Sequence, residues 1–450
     1  MAGGARALSW RAQMRAALAG ALVALTALAA AVPAASQTLL RDAELERGLR
    51  ELAQPVIAAS GMPANQIRIW MIQDDAPNAV VADSQTILLT TGLILRMDRP
   101  EMLQAVLAHE VAHLANGHIA RRAANMTNAR NAALIGMVAA LAVARESPSA
   151  AAGIAAGTSS AALRRFLGHT RAEEAAADLA AVRYLARAGI DPTAMVDVLE
   201  VFRGQEALSA RSQDPYVRTH PLTRDRLRAA KGAAAAYPAS GAAETGSAYW
   251  FARAQAKLSA YLRNPSWTLR RIAKADTSDP ALVARAVAHS QNANGQAALA
   301  AADALVAKRP SDPYAHELRG WVLFEARSYD AAAQAYARAA QIAPREPLIQ
   351  AGYGRALLAT GAQDAKALEV LSAARTRDGA NPSLLRDLAQ AQARLGQTGA
   401  ASLTTAERYA LAGRLDDAEI HAQRATDLLP RGSAGWRRAD DILAAAKQQN

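Results

Sequence analysis

The sequence predicts a mainly α-helical chain, with a small β-sheet near its N-terminus and an all-helical repeat solenoid in its C-terminal part. Apolar residues make up 51% of the 450 residues and most of them are alanine, which favours helix. Two apolar stretches, IRIWMI and TILLTTGLIL, have the composition of strands. Four prolines recur at intervals of 33, 34 and 35 residues, a period typical of helical repeats.

The composition excludes several classes of protein. The chain has no cysteine, so disulfides, thiolate zinc sites, iron–sulfur clusters and cysteine nucleophiles are ruled out. The net charge is +11, and removal of residues 1–36 with their three arginines leaves +8. The remaining basic residues alternate with acidic ones and form no dense run between aromatic residues. We therefore expect no nucleic-acid partner.

The first 36 residues have the pattern of an export signal. Three arginines without an acidic residue precede the apolar stretch 16–32, and small residues follow it. Ala34 and Ser36 fit the positions that a signal peptidase requires, which predicts cleavage before Gln37, with cleavage after Ala34 as the alternative. An uncleaved anchor is the other interpretation, but the stretch is short for a span of about 20 residues. We expect a mature protein outside the cytoplasm.

The elements before the central motif follow from local patterns. A helical pattern runs from Asp42 to about Ala59, and residues 67–72 predict a strand. A second extended stretch is expected over residues 86–95. Asp98 is the predicted N-cap of the next helix, with Pro100 in its first turn.

Two apolar stretches rich in small residues, 131–144 and 149–163, lie further along the chain. Each is too short to span a bilayer. A buried helical hairpin is the simpler interpretation, and a hairpin whose residues 131–163 touch a membrane surface is the alternative. More helix is expected to about Gln205, before the stretch THPLTRDRL.

The C-terminal part is repetitive. A stretch rich in Gly, Ala, Ser and Pro, residues 232–247, predicts a linker. The repeats beyond it are marked by Pro280, Pro313, Pro347 and Pro382. Each unit has the pattern of two helices with small residues where they cross, and this part resembles tetratricopeptide (TPR) repeats. We expect about four units and a capping helix from Ser433 to Lys447.

The motif that carries chemistry is HEVAH, residues 109–113. On a helix, His109 and His113 differ by about 40° in direction, so both imidazoles can bind one metal ion. Glu110 lies about 100° from His109, where it can hold a metal-activated water and take its proton. The apolar flanks place this helix in the core, where such groups without a metal would be costly. The sequence thus predicts one Zn²⁺ per chain.

With no cysteine, the third ligand must be a histidine or a carboxylate from elsewhere in the chain. In AEEAAAD, Glu174 and Asp178 share one face of a predicted helix. We predict Glu174 as the ligand and Asp178 as the acceptor of a hydrogen bond from a ligand histidine. Glu173 is the alternative, about 140° from Asp178. If the motif helix continues, His118 points about 180° from His109, which predicts a surface histidine.

HEVAHLANGH, then EAAAD about 60 residues later, then THPLTRDR, resembles a known zinc endopeptidase family. That family includes HtpX, the mitochondrial Oma-type peptidases and the prenyl-protein CAAX endopeptidase. With its export signal and TPR part, the chain is similar to the periplasmic, BepA-like branch. The resemblance implies a gluzincin-type zinc peptidase fold. Its implied zinc site consists of the ligands His109, His113 and Glu174, the catalytic base Glu110 and the supporting residue Asp178.

The same resemblance implies that His220 and Arg226 lie at the cleft as catalytic residues. In BepA-like proteins the loop histidine can occupy the open position of the zinc and hold the enzyme latent. A simple turn histidine before Pro221 is the alternative for His220. One stretch departs from the family pattern, because residues 83–85 replace the usual Pro-Gly-Gly-type turn.

The predicted organisation is a signal peptide over 1–36, a zinc metallopeptidase domain over 37–231, a linker over 232–248 and a TPR domain over 249–450. By the resemblance, the protein would hydrolyse misfolded or misassembled outer-membrane proteins in the periplasm. An assembly-machinery partner would bind the TPR domain. The alternative function is a TPR adaptor or chaperone for envelope protein assembly with a largely latent peptidase domain.

Overall fold

The computed structural model describes residues 38–118, 170–209, 212–238 and 245–449. The predicted export signal and the predicted hairpin over 131–163 lie outside these residues. Within the described ranges, every helix is too short or too polar to cross a membrane.

A small mixed sheet lies in the N-terminal part. Its strands are β1 (Thr38–Leu40), β2 (Arg68–Gln73), β3 (Ala79–Val81) and β4 (Thr86–Thr90), in the order β1-β2-β4-β3. The central pair β2–β4 is parallel and the two outer pairs are antiparallel. Ile87 and Leu89 of β4 are fully buried in the core. The carboxylate of Asp83 accepts a hydrogen bond of 2.7 Å from the backbone N–H of Gln85 and closes the turn before β4.

The second predicted strand is shorter than expected, because the chain turns into helix α2 (Thr91–Arg96). The Thr90 hydroxyl caps this helix by accepting a hydrogen bond from the N–H of Leu93 at 3.3 Å. The first turn of α2 requires glycine at position 92, since a Cβ on Gly92 would lie 2.0 Å from the backbone oxygen of Asp75. The extended pattern expected over residues 86–95 therefore ends at Thr90.

Six further helices and two 3₁₀ turns lie among the described residues of the N-terminal part. The helices are α1 (Ala43–Ser60), α3 (Pro100–Ala115), α4 (residues 170–187), α5 (Thr193–Val201), α6 (Pro215–Thr219) and α7 (Arg224–Ala234), and the 3₁₀ turns are Ala64–Gln66 and Gln205–Ala207. The prediction of Asp98 as an N-cap is wrong, because Arg99 occupies the cap position without a side-chain hydrogen bond. Every residue of α3 from Met102 to His113 is buried, so the motif helix lies in the core as expected.

The C-terminal part consists of consecutive helices. They are α8 (Thr245–Leu262), α9 (Pro265–Arg271), α10 (Asp279–Gln291), α11 (Gly295–Lys308), α12 (Pro313–Glu325), α13 (Tyr329–Ile342), α14 (Pro347–Thr360), α15 (Asp364–Arg375), α16 (Pro382–Arg394), α17 (Thr398–Leu411), α18 (Leu415–Leu428) and α19 (Ala434–Gln449). The four periodic prolines each lie in the first turn of α10, α12, α14 or α16. Neighbouring helices pack on each other from α10 to α19. The predicted fold class, a helical chain with a small sheet followed by helical repeats, is confirmed.

Helix α8 connects the two parts. Its apolar residues Phe251, Ala254 and Leu258 lie in the same hydrophobic core as α1 and the sheet. Its charged residues Arg253 and Lys257 are also buried, and they lie 2.5 Å and 3.1 Å from the carboxylate of Glu44 on α1. The first helix of the C-terminal part therefore packs directly on the N-terminal part.

Candidate metal centre

Four potential metal ligands meet in the core of the N-terminal part. Helix α3 supplies His109 and His113, helix α4 supplies Glu174, and the segment after α6 supplies His220. All four residues are buried, and one ligand atom of each lies within 4.8 Å of the others. The HEVAH spacing and the separate acidic motif thus converge at one point.

The two motif histidines and the glutamate face one another. The Nε2 atoms of His109 and His113 are 3.0 Å apart. Glu174 Oε2 lies 3.2 Å from His109 Nε2, and its Oε1 lies 3.5 Å from His113 Nε2. Glu173 is also buried but does not belong to this cluster. Of the two candidate carboxylates, Glu174 is the one directed at the histidines.

Asp178 and Arg226 support the cluster from behind. Asp178 Oδ1 lies 3.0 Å from His109 Nδ1, the ring nitrogen that faces away from the cluster. Arg226 donates two hydrogen bonds, of 2.7 and 2.8 Å, to the carboxylate of Asp178. It also donates to the backbone oxygens of His220, at 3.2 Å, and Pro221, at 2.8 Å. Arg226 is 4% exposed, and these hydrogen bonds connect the His220 segment to α4.

His220, the fourth member of the cluster, lies next to the edge strand of the sheet. Its Nδ1 lies 3.0 Å from Glu174 Oε2 and 3.2 Å from His109 Nε2. Its Nε2 lies 3.0 Å from the backbone oxygen of Ala79 on β3. The ring of Tyr216, one helical turn earlier, packs against the ring of His220 at 4.9 Å between centroids. The histidine is therefore built into the site and is not an exposed turn residue.

Glu110 provides a test of whether a metal fits this site. Its carboxylate is fully buried, yet neither oxygen has a hydrogen-bond partner among the described residues. The nearest imidazole nitrogen is His220 Nε2, 3.4 Å from Glu110 Oε1. A buried carboxylate of this kind is costly unless a further group occupies the space beside it. The orphaned oxygens and the histidine–carboxylate donor set both fit a metal ion with its water.

The pKa values follow from burial and from the close charges. Burial by itself lowers the pKa of His109, but Asp178 and Glu174 outweigh it and raise the pKa to about 9. Burial lowers the pKa of His113 to about 3, and the neighbouring imidazoles His109 and His220 add to the effect. Burial would raise the pKa of Glu174, but His220 and the two motif histidines hold it well below its usual range. The site thus holds anionic carboxylates around imidazoles, which suits a cation.

The prediction of His118 as a surface residue is wrong. His118 is 2% exposed, and its Nδ1 lies 2.8 Å from the Nδ1 of His113. The prediction assumed a continuing helix, but α3 ends at Ala115, and Gly117 has a positive φ of 63°. This left-handed glycine redirects the chain and returns the next side chain to the helix it has just left. The Asn-Gly pair was the signal in the sequence that could have revealed this turn.

The model of Peptidase family M48 matches residues 39–234. This part of the chain is a peptidase family M48 domain. The resemblance seen in the sequence is therefore confirmed for the part that contains all the candidate site residues.

Curated relatives match the same region at modest identity. The beta-barrel assembly-enhancing protease of Escherichia coli (strain K12) is 26% identical over 199 residues, which cover 44% of this chain and 41% of the relative. The putative beta-barrel assembly-enhancing protease of Vibrio cholerae is 27% identical over 203 residues, 45% of this chain and 42% of the relative. The chain thus matches about two fifths of the length of these relatives, and the matched part corresponds in size to the M48 domain.

A solved structure described as "Functional Characterization of Pseudomonas Aeruginosa pilF" aligns with 42% of this chain and 97% of its own, at 17% identity and a TM-score of 0.31. This similarity is too low to carry an argument. The assignment of helical repeats comes from the periodic prolines and from the packing of consecutive helices.

Proposed function

We propose that this protein is an exported zinc-dependent metalloendopeptidase that cleaves misfolded or misassembled envelope proteins. The observation that carries the proposal is the buried set of His109, His113 and Glu174 beside the unpaired carboxylate of Glu110. Two imidazoles and one carboxylate are a ligand set of catalytic zinc sites that keep one position open. A bound Zn²⁺ would act as a Lewis acid and make water a nucleophile near neutral pH.

The protein's own side chains divide the remaining work. Glu110 accepts the proton of the attacking water and delivers it to the leaving amine. Its oxygens are available to that water because no described residue forms a hydrogen bond with them. Asp178 fixes the ring of His109 from its far side, and Arg226 fixes Asp178. The buried position of α3 keeps bulk water away from these groups.

Hydrolysis is tested with the purified full chain, loaded with zinc, on an unfolded β-barrel protein. We expect internal cleavage sites in the fragment masses, and a loss of about 10²-fold or more in Glu110→Gln, because an amide cannot accept the proton. Glu101→Gln, on the same helix but in its first turn, is the matched control and should keep the activity. Wild-type rates in Glu110→Gln would exclude Glu110 as the base.

The ligand assignment is tested by metal analysis of the same preparations. We expect about one zinc per chain in the wild type and loss of zinc in Glu174→Ala, with Glu173→Ala as the matched control. Loss of zinc in the Glu173 variant alone would reverse the assignment of the two carboxylates.

The proposed substrates and location are supported by the relatives, which are named beta-barrel assembly-enhancing proteases. We place the mature protein in the periplasm and propose that the repeat helices bind a partner of the assembly machinery. Crosslinking of the inactive Glu110→Gln variant in cells should trap the substrates, which we expect to be unassembled outer-membrane proteins. Trapped proteins confined to the cytoplasm would contradict both the location and the substrate class.

The position of His220 favours a second candidate function. Its Nδ1 points into the ligand cluster, so it can hold the peptidase latent while the repeats serve as an adaptor or chaperone. The two functions are distinguished by complementation of a deletion strain. Growth restored by Glu110→Gln would favour the adaptor, whereas failure of this variant would favour the peptidase.

A further inference from the structure

His118 contacts the metal-binding motif from a side that the mechanism above does not use. His113 has two ring nitrogens with different surroundings. Its Nε2 faces His109 Nε2 at 3.0 Å and Glu174 at 3.5 Å, inside the ligand cluster. Its Nδ1 faces His118 Nδ1 at 2.8 Å, on the far side of the ring. His118 is therefore outside the cluster but adjacent to one of its members.

The chemistry of imidazole determines which of the two rings donates the hydrogen bond between His113 and His118. A neutral imidazole carries its proton on one nitrogen and a lone pair on the other. If Nε2 of His113 offers its lone pair to a metal ion, the proton must lie on Nδ1. That N–H can only donate a hydrogen bond. The Nδ1 of His118 must therefore accept it, and the proton of the neutral His118 ring lies on its Nε2.

We propose that His118 is a positioning residue that fixes the ring orientation and the tautomer of the metal ligand His113. It does for His113 what Asp178 does for His109, whose Nδ1 lies 3.0 Å from the carboxylate. The two supports differ in charge, because one is a carboxylate and the other is an imidazole. The inference rests on the proposed metal site, but it concerns metal affinity and needs no hydrolysis.

The local backbone is built to hold His118 in this place. Asn116 donates its backbone N–H to Ala112 at 3.0 Å, and Gly117 donates to Leu114 at 3.0 Å, which ends α3 in a tight turn. The positive φ of Gly117 then sends His118 back toward α3. The burial of His118, at 2% exposure, keeps water from competing for the Nδ1 of His113.

The experiment measures zinc affinity of the full chain by competition with a chromogenic chelator. His118→Asn keeps an acceptor oxygen where Nδ1 lies, whereas His118→Leu has similar bulk and no acceptor. We expect zinc affinity to fall about 10- to 100-fold in the Leu variant and to stay within about threefold of wild type in the Asn variant. Unfolding of the metal-free proteins provides the control for folding, and His118→Ala replaces the Leu variant if that variant does not fold.

The outcomes separate this inference from the proposed function. Equal zinc affinity in wild type, Leu and Asn variants would overturn the role of His118, as would an equal loss in both variants with folding intact. Zinc binding without proteolysis in the wild type would overturn the proposed function and leave the His118 inference standing if Asn rescues the affinity. A wild type that binds no zinc would overturn both.

Discussion

His220 is a residue whose position supports two opposite roles. Its Nδ1 lies 3.0 Å from Glu174 Oε2 and can join the ligand set, which would displace the water that hydrolysis needs. Its Nε2 lies 3.4 Å from Oε1 of Glu110, the predicted base. A ring N–H at this place can stabilise the negative charge that develops in the transition state. The distances alone are compatible with both roles, so the sign of a substitution decides between them.

We predict that His220→Ala raises basal proteolysis. If the closed arrangement is populated for nine tenths of the time, removal of the ring gives up to about a tenfold increase. The measurement is cleavage of an unfolded protein by the full chain at equal zinc content, with His421→Ala on α18 as a control histidine outside the site. A fall in activity with zinc and folding intact would discard latency and make His220 a catalytic residue.

The carboxylates around His109 lead to a prediction about protons. In the metal-free protein its pKa is raised to about 9, so His109 is protonated at pH 7.5, whereas the pKa of His113, lowered to about 3, leaves that ring neutral. A metal ligand must be deprotonated. Zinc binding at pH 7.5 should therefore release about one proton, and affinity should rise about tenfold per pH unit up to about pH 9. Calorimetry in buffers of different ionisation enthalpy measures this, and binding without proton release would contradict it.

At the scale of the elements, the helix that carries the motif could be predicted from Pro100 in its first turn and from the four-residue spacing of His109 and His113, which places both ligands on one face. The short strands β1 and β3 could not, since three residues show no alternation. The end of β4 was missed because the Thr90 hydroxyl caps the next helix, a polar signal within an apolar run.

In the site, too, some features follow from the local sequence and others depend on contacts between distant parts of the chain. The spacing of Glu174 and Asp178 in one helix indicated a shared face, and the structure brings both to the histidines. The packing of Tyr216 on His220 and the contact of His118 depend on turns that end helices. Such turns redirect side chains by large angles, so a straight-helix calculation fails there.

The repeat helices make a close approach that can be tested. Gly354 of α14 faces Leu371 of α15, and an added Cβ would lie 2.4 Å from the side chain of this fully buried leucine. We predict that Gly354→Ala lowers the free energy of unfolding by about 1–3 kcal/mol through overpacking. Gly295→Ala in α11 is the control, since its nearest neighbour would be at 3.7 Å. Urea unfolding of the full chain measures both, and equal midpoints would show that α14 and α15 do not cross so closely.

At the scale of the whole molecule, two ion pairs at the junction of the two parts differ in their exposure to water. Arg253 of α8 is fully buried and lies 2.5 Å from both Glu44 of α1 and Asp312 before α12. Arg50 of α1 is 46% exposed in its side chain and lies 2.9 Å from Glu346 before α14. Both pairs join the M48 domain to the repeats, but only one is shielded from water.

We predict that Arg253→Leu destabilises the full chain by about 3–5 kcal/mol, because it leaves the carboxylate of Glu44 buried with one of its two cations removed. Arg50→Ala should cost no more than about 1 kcal/mol, since water and salt already screen that pair. Urea unfolding, followed by helical circular dichroism, gives both values. The double variant Arg253→Leu with Glu44→Leu should recover much of the loss, because it removes the stranded charge together with its partner. If Arg253→Leu is as mild as Arg50→Ala, α8 does not pack against α1 as described, and the repeats are joined to the M48 domain by a looser contact.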